Sequence, residues 1–282
     1  MPLAECKSGY CLLHSKGEAL VYRGVANFDE AGTGTTGLLY PAPNAVGLVA
    51  AVLTHGLLVG SAKQEQRKKI QAEADKVLLP YLRAIGEIGY EQLWSLAISR
   101  LPSDAKVRWA IDNSDLGSDS AIESNLVISM TQDQSSLVLD NTIVFRKGGG
   151  REKRDHLSTV RVISPAHIEA KPEDYWTKNS GEQLISTSAD LIADSLQVAI
   201  RDFEALKSTP DNSPFKTIRY KEGEAEKFER AQVLSDECNR VLIRSLNGAL
   251  MLVPLARRVS GDSGDAHCHQ PDTKPHITSS LP

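Results

Sequence analysis

The chain has 282 residues, a formal net charge of −4 and 41% hydrophobic content, enough apolar material for one large domain or two modest ones. Near-balanced charge argues against a general nucleic-acid binder, which concentrates a basic excess on one face, and only 5% of the residues are aromatic, which leaves no ring-lined platform for bases or sugars. The four cysteines, Cys6, Cys11, Cys238 and Cys268, have neither zinc spacing nor the density of a disulfide framework; Cys6 and Cys11 are close enough in sequence to pair in an oxidising space or to stay as thiols.

The first residues lack the basic and apolar regions of an export signal, although Leu3-Ala4-Glu5-Cys6 has the outline of a lipobox with Glu5 where a small residue belongs. Residues 19–25, ALVYRGV, predict a short strand. Gly32-Thr33-Gly34-Thr35-Thr36-Gly37 spells G-x-G-x-x-G, but Pro41 and Pro43 follow where a dinucleotide site needs a helix, so it reads as a loop.

From Asn44, a plausible N-cap, to Ala62 runs an apolar, small-residue segment that passes without a break into the charged helical pattern KQEQRKKIQAEADKVLLPYL. At ~1.5 Å per helical residue it measures roughly 28 Å, close to the ~30 Å hydrocarbon core of a bilayer, yet it carries His55 and several glycines. Gly47, Ala51, Gly56 and Gly60 allow close helix approach, with Gly56 and Gly60 in G-x-x-x-G spacing, while Lys63, Arg67, Lys68 and Lys69 form a cationic collar suited to anionic lipid heads. The same residues would equally serve a helix buried at a subunit interface, and His55 reads as an interior histidine in either setting. A long helix is therefore expected to Leu79, closed or kinked at Pro80, and a second, short one over Glu91–Leu101.

Beyond Pro102 the texture becomes β. Ala105–Ile111, Asn125–Met130, Ser136–Phe145 and the run HLSTVRVI read as strands, a helix is expected over about 186–206, and FKTIRY, KFERAQVL, RVLIRSL and ALMLVPL read as further strands, the last two joined by an Asn247-Gly248 turn. Residues 257–282 offer little to bury and read as a disordered tail. The expectation is an α+β protein: an N-terminal strand and loop segment at 1–43, a helical region at 44–102, and a mainly antiparallel sheet covered by one amphipathic helix at 103–256.

Chemistry-bearing patterns are weak. Asp112–Glu123 imitates a calcium loop but places Leu116 at a ligand position; Arg146–Arg154 is a basic glycine-centred loop without the Lys-Ser or Lys-Thr of a phosphate loop; His267-Cys268-His269 with His276 lies in the tail. No G-x-S-x-G elbow occurs, and no metal, cofactor or catalytic residue is assigned. The runs P-A-P-N-A-V-G at Pro41–Gly47, A-D-K-V-L-L-P-Y at Ala74–Tyr81 and N-R-V-L-I-R-S-L-N-G-A-L-M-L-V-P at Asn239–Pro254 give the chain a texture that resembles bacterial envelope lipoproteins of uncharacterised function. That resemblance implies location more than activity: a non-enzymatic, envelope- or membrane-associated accessory or binding protein, self-associating as a homo-oligomer through its apolar helix or meeting a membrane surface or a partner's helix. The alternative is a soluble cytoplasmic enzyme or ligand-binding protein whose site is assembled from residues distant in sequence.

Overall fold

A computed structural model describes residues 9–13, 20–28, 60–110, 120–147, 155–167, 171–205, 213–237 and 239–256. Among the described residues ten strands form one sheet: β1 (Tyr10–Leu13), β2 (Tyr22–Gly24), β3 (Val107–Ala110), β4 (Ser120–Met130), β5 (Leu137–Lys147), β6 (His156–Ile163), β7 (Lys216–Glu222), β8 (Ala225–Glu237), β9 (Arg240–Ser245) and β10 (Leu250–Pro254). Their order is β3-β1-β4-β5-β6-β10-β9-β8-β7, with β2 also on β4. Most pairings are antiparallel, as expected; β1 with β3 and β4, β2 with β4, and β6 with β10 are parallel. The α+β expectation holds, and the strand runs read from alternation and branched residues fall on β3 to β10.

The N-terminal strand segment and the helical region both join this sheet. β1 and β2 lie along β4 in parallel register; of the helices α1 (Gly60–Ala74), α2 (Leu82–Gly86), α3 (Tyr90–Ser99) and α4 (Pro172–Ala205), the last three contribute with the 75–81 segment to one core on one face of the sheet. Trp94, Trp176, Tyr81 and Phe145 are its largest enclosed side chains. The stripe Ala189, Ile192, Leu196, Ala199 and Ile200 on α4 is buried there, as the helical spacing requires. Polar ties fix α4 in register: Asn141 Nδ2 donates to Ser195 Oγ at 2.9 Å, Arg240 meets Asp194 at 2.7 Å, and Arg244 pairs with Asp202. α4 starts earlier than the expected 186, and its first turn is separated from the rest by non-helical backbone at Lys178–Gly181.

The expected long N-terminal helix is corrected. The α-helix stops at Ala74, and Asp75–Tyr81 continues as a 3₁₀ segment containing Pro80 before α2 begins. Proline cannot donate to the i−4 carbonyl, and β2 competes for the same helix end. Gly24 lies so close that a Cβ there would stand 1.9 Å from the Ala74 carbonyl oxygen. Asp75 Oδ1 accepts from Gly24 N at 2.8 Å, Gln71 Nε2 donates to Gly24 O at 2.9 Å, and Gln132 Nε2 reaches both Val25 O at 2.8 Å and Ala74 O at 3.2 Å. The end of α1 is thus spent on holding the edge of β2. Among the described residues no helix is long and apolar enough to cross a membrane, and residues 44–59 lie outside the described residues.

On the opposite face the sheet coils. β7 to β10 curl until Tyr220 of β7 bridges Leu255 just past β10, and a bulge between Val233 and Ser235 of β8 sharpens the bend. A second, smaller core of Val138, Ile163, Tyr220, Ala231, Val241, Ile243, Met251 and Val253 fills the inside of the curl. Asp133, in the β4–β5 turn, clasps the curled hairpin. Its carboxylate accepts from Thr131 Oγ1 at 2.6 Å, Ser135 Oγ at 2.7 Å and Ser135 N at 2.9 Å, and from Glu224 N at 2.7 Å in the β7–β8 turn. Gly223 beside it has φ +64°, and a Cβ there would meet Asp133 Oδ2 at 2.4 Å, so this turn needs glycine twice over.

Candidate functional site

Where the second core ends, the coiled half of the sheet and the segment after β2 leave a cleft of about 880 Å³. Its floor is a single cross-strand row. Val127 of β4 pairs with Asp140 of β5, Asp140 with Arg161 of β6, and Arg161 with Met251 of β10. Side chains at paired positions share a face, so the strand period alone brings these four together. One wall is the β7–β8 hairpin, which supplies Tyr220, Glu222, Lys227 and Glu229; the other is Gly24–Phe28 with Gln71 of α1. The turns at Thr131–Asp133 and Ser245–Ala249 close the ends.

The floor is charged beneath an apolar rim. Arg161 grips Asp140 with both arms of its guanidinium, Nε to Oδ1 at 2.7 Å and Nη2 to Oδ2 at 2.8 Å, and its Nη1 stands 4.0 Å from Glu222 Oε2. The Arg161 side chain is 23% exposed, that of Asp140 7% and that of Glu222 11%. Burial works against the Arg161 charge, but the Asp140 carboxylate, reinforced by Glu222 and Tyr220, overcomes it and holds the guanidinium above its ordinary pKa. Burial, with the Glu222 charge, pushes Tyr220 up to about 12, and burial raises Glu229 against the pull of Arg161. At the rim Phe228 is 58% and Leu246 63% exposed, and two rings carry arginines over their faces: Arg219 lies 5.3 Å from the Phe228 centroid and Arg67 4.9 Å from that of Phe28.

A bidentate, largely buried Arg–Asp pair is a fixed polar surface rather than a reactive one, since each partner's lone pairs and donors are committed to the other. The cleft's hydroxyls belong to Ser129, Thr131, Tyr220 and Ser245, and those of Thr131 and Ser245 bond within their own turns. Such a lining can bind and orient a ligand.

The residues singled out from the sequence fall elsewhere. Gly47, Ala51, His55 and Gly56 lie outside the described residues, and Gly60 opens α1. Of the collar, Lys63 is on α1, Lys68 and Lys69 are exposed on it, and Arg67 turns to Phe28 at the cleft rim. From the calcium-like pattern only Ser120–Glu123 is described; these residues are β-strand, and Glu123 is taken by Arg146 at 2.8 Å. Among the described residues no group of three or more His, Cys, Asp or Glu could hold a metal ion. The tail histidines and Cys268 lie outside the described residues, whereas Cys11 is fully buried and disulfide-bonded.

Sequence reading missed the floor row altogether. Asp140 and Arg161 are separated by 21 residues and look like surface charges within strands. The available signal was the charge itself, Asp140 and Arg161 each set within a run of branched and apolar strand residues. No protein family's model matches the chain, and no curated protein matches it.

Proposed function

We propose that this is a non-enzymatic ligand-binding protein of the cell envelope, with the cleft over Arg161 as its binding site and the segment at 45–62 as its point of membrane contact or self-association. The observation that carries the reading is the cleft: about 880 Å³, within the range of small-molecule sites, with an apolar rim and a few convergent charged groups held in place by the sheet. Its size and lining suit a small amphipathic molecule. The edge of β2 that borders it has its backbone groups taken by Asp75, Gln71 and Gln132, which argues against a peptide adding to the sheet there.

Two further observations support the envelope setting. The buried Cys11 is disulfide-bonded, a state that persists in oxidising compartments. The collar residue Arg67 stacks on Phe28 of the cleft wall, so the helix that follows the apolar segment packs beside the cleft mouth. A ligand drawn from a membrane would have a short path into it.

Fractionation of native cells, with mass measurement of the N-terminal peptide and native mass spectrometry of the purified protein, tests the reading. Membrane partition or a defined oligomer, together with a co-purifying small molecule, is the expected result. A monomer wholly in the soluble cytoplasmic fraction would overturn the envelope assignment, and a Met251→Trp variant that retains the same bound molecule would overturn the cleft as its site.

A further inference from the structure

We infer that the cleft selects a ligand whose polar end is cationic, a primary ammonium or guanidinium group, and that Glu222 and Glu229 receive it. The inference rests on the cleft being the binding site, and it comes from an imbalance in the floor. Three carboxylates, Asp140, Glu222 and Glu229, act on the one floor guanidinium, that of Arg161. Asp140 alone holds it by hydrogen bonds, taking two of its five donors in a bidentate pair.

Glu222 is left over. Its side chain is almost nine-tenths buried and faces the cleft, its nearest cation is Arg161 at 4.0 Å, and among the described residues its carboxylate accepts no hydrogen bond. A mostly buried carboxylate that accepts no hydrogen bond from a neighbouring side chain keeps only part of its hydration, and a ligand that brings N–H donors with a positive charge satisfies it better. Glu229 lies on the same face of the β7–β8 hairpin, since Ile218 pairs with Glu229 and Glu222 with Ala225. Its burial gives it the same need, consistent with its raised pKa. The cleft's other cations, Arg23 and Lys227, are exposed residues and do not reach Glu222 within 4.0 Å.

An anionic head group would meet the opposite arrangement. Arg161 is the floor's cation among the described residues and its Nε and Nη2 already donate to Asp140, so a ligand phosphate or carboxylate would have to displace that pair or approach Nη1 directly beside the Glu222 charge. Beyond the head-group position, Val127, Val138 and Met251 offer an apolar bed and Phe228 an exposed ring.

The test uses the full chain and two fluorescent probes that share an apolar dansyl body, dansylcadaverine with an ammonium end and dansylglycine with a carboxylate end. The expected result is binding of the cation at least about tenfold tighter than the anion, weakening as salt rises. Glu222→Gln and Glu229→Gln should each cut the preference severalfold, with thermal melts reporting that the variants stay folded. Equal affinity, preference for the anion, or an unchanged preference in both variants overturns the cationic assignment while leaving the cleft as a binding site. Binding of neither probe, or binding that Met251→Trp does not impair, overturns the cleft reading and this inference with it.

Discussion

Replacing Asp140 by Asn changes one atom in the cleft floor and leaves the shape intact. Asn cannot carry the negative charge, and its amide nitrogen meets one of the two Arg161 donors that Asp140 accepts at 2.7 and 2.8 Å. Removing one partner of a buried ion pair costs about 3–5 kcal/mol because the other charge stays desolvated. Two features soften the loss: the Arg161 side chain keeps 23% exposure, and Glu222 stands 4.0 Å from Nη1 and can swing in. The expected cost is therefore about 2–3 kcal/mol. With a urea dependence of about 3 kcal/mol per molar for a chain of this size, the unfolding midpoint should fall by about 0.7–1 M. Equilibrium urea unfolding followed by tryptophan fluorescence reads this, because Trp94 and Trp176 sit fully buried in the helix-side core. A midpoint within about 0.2 M of the parent would refute the placement of this pair in a desolvated floor.

Three other outcomes follow from the same structure. Gly24→Ala should destabilise the protein by about 3 kcal/mol or more, seen as a lowered melting temperature, because its Cβ would fall 1.9 Å from the Ala74 carbonyl oxygen and neither backbone can yield without breaking the bonds from Gln71 and Asp75. Asp133→Asn should cost about 1 kcal/mol at pH 7 by losing the bond from Glu224 N, a modest figure because the turn is exposed. Burial alone would raise the Asp133 pKa, but its four hydrogen bonds outweigh this and lower it below the ordinary 3.8. A depressed carboxylate stabilises above its unfolded value and loses that contribution as pH falls through the folded one, so the parent should show a steeper acid limb below about pH 4 than the Asn variant. Equal acid limbs in chemical melts would count against the clasp. Leu58→Lys should abolish membrane partition or self-association in native-cell fractionation; an unchanged distribution would show that the apolar segment has neither role.

Much of the sheet was legible because its signals are local. Alternation of branched and polar residues marked β4 to β6 and β7 to β10, and Asn247-Gly248 fixed one turn, since a period of two and a turn that needs positive φ are written within a few residues. The α4 stripe was legible for the same reason at its own period. The end of α1 was not. Pro80 marks the neighbourhood of a break, but its placement at Ala74 depends on Gly24 and Gln132, tens of residues away on either side.

The cleft belongs to that second kind. Local pattern determined that Asp140 and Arg161 each lie on a strand, but which strands are neighbours, and which face of each is left open, follow from the pairing of β5 with β6 and of β6 with β10 and from the coiling of β7 to β10 over them. A charge in a strand is a solvated side chain or a buried partner according to what lies across the ladder, and only the tertiary structure supplies that. The sequence by itself determined the α+β character, most strand positions and the helical stripe, because periodicity and turn chemistry act over a few residues. Tertiary structure decided where α1 stops, which charges meet and that they line a cleft, because each depends on groups brought together from distant parts of the chain.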